Sequence, residues 1–361
     1  MKKIFVIVGA RPNFMKVARF KQVASGHGIE VELVHTGQHT DGRMTAVFFE
    51  QFGLRPDHVL EIPDVPPVER LGHMIQRLGR LMQEQRPDAV VVVGDVDSTL
   101  AGALAANRCG IKLIHLEAGL RSGDMGMPEE VNRILVDRIA DHLLITEPSA
   151  RENLLKEGRK AEEIHFLGNT MIDALVAFED RIEASPIVAE LGLNSKHVLV
   201  TMHRPATVDV PERLSTLADI LIDLAQRHQV VFPVHPRTRK RLEAGGELHR
   251  LQQQASIRLT EPLDHFAFQK LLATSQCVIT DSGGVQEETT FRGVPCITLR
   301  DNTERPVTIT HGTNRLVRLD TRAVRQALDA ILEEDHGKHH IPELWDGHAT
   351  ERVFAVLDKV L

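Results

Sequence analysis

Residues 89–94 read Ala-Val-Val-Val-Val-Gly, an apolar run with no polar side chain to turn toward water. A strand with one wet face alternates polar and apolar residues, so a run like this one must be covered on both faces. Comparable runs stand at 3–9 (KIFVIVG), 31–35 (VELVH), 112–116 (KLIHL) and 142–146 (HLLIT). A second series follows at 197–202 (HVLVTM), 230–234 (VVFPV), 256–259 (SIRL), 277–281 (CVITD) and 295–299 (PCITL). Amphipathic stretches separate them, such as ERLGHMIQRLGRLMQEQ at 69–85. Buried strands alternating with helices specify an α/β fold with parallel, doubly wound sheets. Between the two series, GNTMIDAL (168–175) and EDRIEASPIVAELGLNSK carry no such run and read as a hinge with connecting helices. A chain of 361 residues suits two domains. The expected architecture is therefore two Rossmann-like domains facing one another. The last segment, ATERVFAVLDKVL, has helical spacing, with Thr350 and Glu351 at its polar start.

Composition removes several classes of function. A net charge of −7 argues against a general nucleic-acid or anionic-membrane binder. One Trp and no Tyr argue against a carbohydrate module built on stacked aromatic rings. Cys109, Cys277 and Cys296 are odd in number and widely spaced, without a ligand pattern for zinc. They read as small buried residues of a reduced, cytoplasmic protein. The opening MKKIFVIVG is too short in its apolar part for a signal peptide, and no run is long enough to cross a bilayer.

Ligands of open α/β sheets bind beyond the carboxyl ends of the strands, so the residues after each run are the candidates. After the first comes GARPNFMK, which is neither a dinucleotide fingerprint nor a Walker A loop. Arg11 and Lys16 could there reach an anion, although a solvated helix face accounts for them equally well. Asp95 follows the 89–94 run; Asp97 or Ser98 could cap the helix that follows, which leaves Asp95 either for acid/base work or as a second capping residue. Glu117 follows the next run, and Gly119 turns the chain back. In MPEEVNR, Pro128 suits a first helical turn and Glu129 and Glu130 suit its positive end. One of these two glutamates complements the helix dipole, and the other could face a ligand. Carboxylates brought together from these places would raise one another's pKa and supply an acid and a base at one pH.

In the second half His203 and Arg204 follow one run, and His235 and Arg237 follow the next. The most specific local signal is VITDSGGVQEETTFRG. A strand ends at Asp281, Ser282-Gly283-Gly284 makes the turn, and a helix begins near Val285. Free N–H groups and a hydroxyl at a helix start form an anion site suited to a diphosphate. Glu288, one turn further, can accept from a pair of ribose hydroxyls, and Arg305 can fork onto a phosphate.

Taken with HTGQH, GDVDSTLA, HLEAGLRSGD, GNTMIDAL, TMHRP, PVHPRT and RDNTERP, these segments resemble the non-hydrolysing UDP-N-acetylglucosamine 2-epimerase family over nearly the whole chain. The resemblance implies a glycosyltransferase-B type fold with a nucleotide in the cleft between its domains. Residues 1–170 would carry the sugar side and residues 171–349 the UDP side, and the helix at 350–361 would cross back to the first domain. It implies Asp95, Glu117, Glu129 and His203 as acid/base residues, and Arg11 and Lys16 as diphosphate or sugar contacts. It further implies His235, Phe268, Ser282, Gly283, Gly284, Glu288 and Arg305 as substrate contacts. The implied reaction is loss of UDP from C1 with removal of the C2 proton, then re-addition on the other face. No cofactor and no metal take part in it. The implied partners are a UDP-sugar and a second copy of the chain in a homodimer, with no nucleic acid and no membrane.

The chain departs from the usual family pattern at Asn13, where Glu is common, at Ala206 and Thr207, and at His265, where an aromatic residue is common. HTGQHTDGRMTAVFFE is closer to branches acting on 2,3-diacetamido uronic acid sugars. A 2-epimerase of UDP-2,3-diacetamido-2,3-dideoxy-glucuronic acid is thus one alternative, and a hydrolysing epimerase releasing ManNAc and UDP is another. A glycosyltransferase on the same fold, or a nucleotide-sugar binding protein without turnover, stands further off, because the carboxylate set suits proton transfer at the sugar.

Overall fold

The computed structural model describes residues 1–37, 51–193, 196–334 and 340–361. They form two compact units, Met1–Ala177 with Glu343–Leu361, and Phe178–Pro342. Each unit is an α/β layer built on a wholly parallel sheet.

The first unit holds β1 (Lys2–Val8), β2 (Ile29–His35), β3 (His58–Val59), β4 (Ala89–Val93), β5 (Lys112–Leu116), β6 (His142–Ile145) and β7 (Ile164–Phe166). Their order is β3-β2-β1-β4-β5-β6-β7. All five residues of β4 are fully buried, which is why it carries only Ala and Val. β4 pairs with β1 through Ile7↔Val92 and with β5 through Val93↔Leu116. The register therefore delivers Gly9, Gly94 and Glu117 to one end of the sheet at nearly the same level. From β1 and β4 the strand order runs outward in opposite directions, the topological switch point at which α/β sheets open a crevice.

The second unit holds β8 (Val198–Thr201), β9 (Val230–Pro233), β10 (Ile257–Thr260), β11 (Cys277–Thr280), β12 (Cys296–Thr298) and β13 (Asn314–Leu316). Their order is β10-β9-β8-β11-β12-β13. Its switch point lies between β8 and β11, which pair in register through Thr280↔Thr201. Met202 and Asp281 leave the sheet side by side.

β3, β7 and β13 were not expected. They are two or three residues long, and each is an edge strand paired on one side only. None has the unbroken apolar run that burial on both faces demands. The helix Pro67–Gln85 begins two residues before the stretch read from its periodicity, with Pro in its first turn.

The helix Ala349–Val360 belongs to the first unit. Phe354 is buried edge-on against Phe20, with ring centroids 5.4 Å apart. Its first turn has no capping side chain of its own. Asp173, buried in the helix Thr170–Ala177, supplies the cap from a distance by accepting from Ala349 N at 3.1 Å and Thr350 N at 2.5 Å. The Trp345 indole donates to the Thr146 carbonyl at 3.0 Å and anchors the approach to this helix. Cys277 and Cys296 are buried thiols and Cys109 is half-buried, all three unbridged. Among the described residues no helix is long and apolar enough to cross a membrane.

Candidate active site

At the switch point of the first unit, Asn13 stands in the short helix Arg11–Lys16 that follows β1. Its amide oxygen accepts from Gly9 N at 3.2 Å and Ala10 N at 3.0 Å, and its amide nitrogen donates to the Val93 carbonyl at 3.1 Å. It ties the β1 turn to the end of β4 as an uncharged lock. Gly94 has φ +67°, and a Cβ there would lie 3.5 Å from Lys16 Nζ, 3.6 Å from Asn13 Nδ2 and 3.8 Å from a Glu117 oxygen. Three polar side chains thus converge over a residue that has no side chain. Lys16 forms a buried ion pair with Glu117. Glu117 itself is a non-glycine residue at φ +70°, held there by N–H bonds from residues 117 and 118 to the Leu144 carbonyl at 3.0 and 3.1 Å. A left-handed conformation at such a residue persists only where its surroundings fix it.

The helix Pro128–Ile139 clamps this end of the sheet. Arg133 pairs with Asp95 and, at 2.9 Å, with Glu130. Asn132 donates to the Asp95 carbonyl at 3.0 Å. Buried Asp137 lies 2.6 Å from His115 Nδ1, accepts from Gly119 N at 3.0 Å and pairs with Arg121 at 2.8 Å. Burial alone would raise the Asp137 carboxyl, but His115 and Arg121 outweigh it and hold the group below the ordinary carboxylate range. The other ring nitrogen of His115 meets the Gly94 carbonyl at 2.8 Å. Both turns, Gly94–Asp95 and Glu117–Gly119, are therefore gripped by one helix.

This geometry separates the two glutamates of MPEEVNR. Glu130 is buried and consumed by the loop before it, accepting from Ser122 N and Oγ, Gly123 N and Arg133. Glu129 stays exposed in the first helical turn, the one of the two still open to a ligand. Asp95 pairs with Arg133 and Glu117 with Lys16, so each of these carboxylates has a cation of its own. The expected cap at Asp97 or Ser98 is absent. The helix Asp97–Cys109 starts at Asp97 without a side-chain cap. The Ser98 hydroxyl instead meets Thr36 Oγ1 at 2.6 Å, because the register brings the end of β2 beside it.

In the second unit His203 and Arg204 leave β8 and meet the residues leaving β11. Ser282 precedes the helix Gly283–Arg292, and its hydroxyl caps none of that helix's N–H groups. Arg305 is buried between Glu304, at 2.6 Å, and Glu287, at 3.0 Å. Glu304 also pairs with Arg300 at 2.9 Å and Arg204 at 3.5 Å. Burial would raise the Glu304 carboxyl, but Arg305, Arg300 and Arg204 hold it far below the ordinary range. Three guanidiniums thus face two carboxylates here, and Arg300 Nη1 is buried with no hydrogen-bond partner among the described residues.

Gly283 is required sterically. A Cβ there would lie 2.4 Å from Arg305 Nη1 and 2.7 Å from Glu304 Oε1. Gly283→Ala is expected to displace Arg305, with a stability cost of about 1–3 kcal/mol. Thermal melts check this, and a variant as stable as wild type would refute it.

His235 starts the helix Pro236–Ala244, its Nδ1 accepting from Arg237 N at 3.3 Å, with its ring centroid 6.4 Å from that of His203. Phe268 packs half-buried on the apolar cluster of Val231, Leu271 and Val285. His265 lies against Phe266, and burial pushes its imidazole down to about 3, with Asp264 opposing and Arg292 assisting. The Arg11 side chain and residues 38–50, which hold most of the segment bearing on sugar choice, lie outside the described residues. The roles of Asp137, Asp281 and Glu304 were missed at the sequence level. Asp281 could have been found, since it follows a buried strand just as Asp95 does.

A protein-family model described as UDP-N-acetylglucosamine 2-epimerase matches residues 21–358. The chain is 36% identical to the UDP-N-acetylglucosamine 2-epimerase of Methanococcus maripaludis over 97% of its own length and 96% of that relative. It is 38% identical to the UDP-2,3-diacetamido-2,3-dideoxy-D-glucuronate 2-epimerase of Pseudomonas aeruginosa, over 92% of this chain and 94% of the relative. The crystal structure of the Methanocaldococcus jannaschii UDP-GlcNAc 2-epimerase with UDP-GlcNAc and UDP superposes with a TM-score of 0.92 at 34% identity, covering 99% of each chain.

Proposed function

The chain belongs to the UDP-N-acetylglucosamine 2-epimerase family, and we propose that it interconverts UDP-GlcNAc and UDP-ManNAc without net hydrolysis. The observation that carries this reading is the placement of Asp95 and Glu117, each with its own cation, at the switch point of the first sheet.

The C2 hydrogen of the sugar has no adjacent ketone and is not acidic. As the bond from C1 to the UDP oxygen breaks, positive charge grows on the ring and acidifies that hydrogen. A carboxylate takes the proton, the C1–C2 double bond forms, and UDP leaves with the electron pair of its bond. Return of a proton to the opposite face of C2, with UDP re-adding at C1, yields the epimer. Two faces need two proton-handling groups, which Asp95, Glu117 and Glu129 can supply. In the second unit, the free N–H groups and Ser282 at the start of the helix Gly283–Arg292 would receive the diphosphate. Gly284, Arg305 and the unpartnered Arg300 Nη1 would join them. Glu288 would take the ribose, with Phe268 and His235 as further contacts. Lys16 and Arg11 are the first unit's candidates for anion contacts. The same reading takes the enzyme as a cytoplasmic homodimer that uses neither metal nor nicotinamide.

A second substrate, the UDP-2,3-diacetamido uronic acid sugar, is favoured by the similarity to the Pseudomonas aeruginosa enzyme. Proton NMR of the purified protein with UDP-GlcNAc in deuterated water tests the first. UDP-ManNAc should appear, with deuterium at C2 of both sugars and no free ManNAc. Free ManNAc with UDP would move the protein to the hydrolysing class. An unchanged C2 would reject UDP-GlcNAc and leave the diacetamido sugar to be tried.

A further inference from the structure

Asp281 follows β11 and is fully buried. A buried carboxylate must find donors, and among the described residues this one takes them from the His203–Arg204 segment. It accepts from His203 N at 3.0 Å and Arg204 N at 2.8 Å, and its Oδ1 lies 3.0 Å from His203 Nδ1. Burial would raise its carboxyl, but the His203 ring and these N–H groups outweigh that and hold it below the ordinary range. Asp281 is therefore an acceptor at neutral pH, and His203 Nδ1 must be the donor. With Nδ1 committed, Nε2 is the ring nitrogen left to exchange a proton with a ligand. The His203 side chain is 44% exposed, so a ligand can reach it. The register of β8 and β11 fixes this contact, because it brings the residues after Thr201 and Thr280 out together.

We propose that Asp281 is a positioning residue of the epimerisation, setting both the orientation and the tautomer of His203 so that Nε2 faces the substrate. The proposal rests on the reading of His203 as an acid/base group. Asp281 itself touches no substrate. The competing account is that Asp281 only ties down the backbone before the short helix Pro205–Val208.

Two measurements separate these accounts. The first uses wild-type protein with 15N-labelled histidine, the His203 signals being identified by their loss in H203N. Two-bond proton–nitrogen correlations of the neutral ring should show the Nδ1–H tautomer. The second is kinetic. D281N should lower kcat by about 10²-fold while KM moves less than about threefold. The D281N/H203N double variant should lose no more than H203N alone. An Nε2–H tautomer, or losses that add, overturns the proposal even if D281N folds poorly, since the tautomer is read on the wild type. Full turnover in H203N would instead sink the reading of His203 itself, and this proposal with it.

Discussion

Replacing Glu117 with Gln should lower kcat by about 10³-fold, the upper range for losing a positioned base. It should also cost on the order of 3 kcal/mol of stability, because Lys16 is left facing a neutral amide inside the protein. Both partners are nearly buried, with side chains 10% and 5% exposed, so water does little to screen the loss. The substitution keeps the volume and the φ of +70°, so backbone strain is unchanged and the charge alone is tested. A K16M/E117Q double variant separates the two consequences. Replacing a buried ion pair by a neutral pair of similar size is often close to neutral, so the melting temperature should return most of the way. Turnover should not return. E117Q with kcat within about threefold of wild type would remove Glu117 from the chemistry. A double variant as unstable as E117Q would show that Lys16 was never the stranded charge.

The two units solve one problem twice. In each, the strands flanking the switch point end in a turn, and a carboxylate delivered by a neighbouring strand or helix grips that turn from below. In the first unit Asp137 grips through His115 and Gly119. In the second, Asp281 grips through His203 and Arg204. Backbone fixed in this way holds Asp95, Glu117 and His203 in place, the preorganisation that the proposed epimerisation calls for.

Much of this frame was legible in advance because burial leaves a mark on composition. β4 could be read from Val90–Val93, since a strand covered on both faces can hold little else. The edge strands β3, β7 and β13 face the sheet on one side only, so residues such as His58, His165 and Arg315 sit in them without penalty and erase the pattern. Candidate site residues could be found from their position after each strand. Their partners could not, because the pairing of Lys16 with Glu117 or of Arg133 with Asp95 depends on strand order and register, which no local spacing encodes. Glu129 and Glu130 show the limit plainly. They are adjacent and chemically identical, yet one is buried under the Ser122–Gly123 loop and the other meets solvent.

Without ligand, Glu288 should make the protein lose stability as pH rises toward neutrality. The carboxyl is buried in the helix Gly283–Arg292, and burial raises it from 4.5 to about 7, with Gln269 and Arg292 pulling it back and Glu287 adding to the rise. The unfolded chain gives up this proton near 4.5, whereas the folded one keeps it to about 7. Between those values the folded state binds more protons, so the stabilising contribution is complete below about 4.5 and is lost as pH rises through about 7. The amount at stake is roughly 3 kcal/mol. Glu288→Gln removes the ionisation, so the stability difference between variant and wild type should grow across this window in favour of the variant. Parallel melting curves against pH would refute the buried acid. The same group should mark nucleoside binding. Ribose hydroxyls donate best to an ionised carboxylate, so uridine, which carries no phosphate to titrate, should bind more tightly from about pH 6 to pH 8 and release a proton as it does. Calorimetry in two buffers of different ionisation enthalpy reads that proton directly. In E288Q the affinity should be lower and independent of pH. A wild-type uridine affinity that is flat over this range would take Glu288 away from the ribose and return the helix start to anion binding alone.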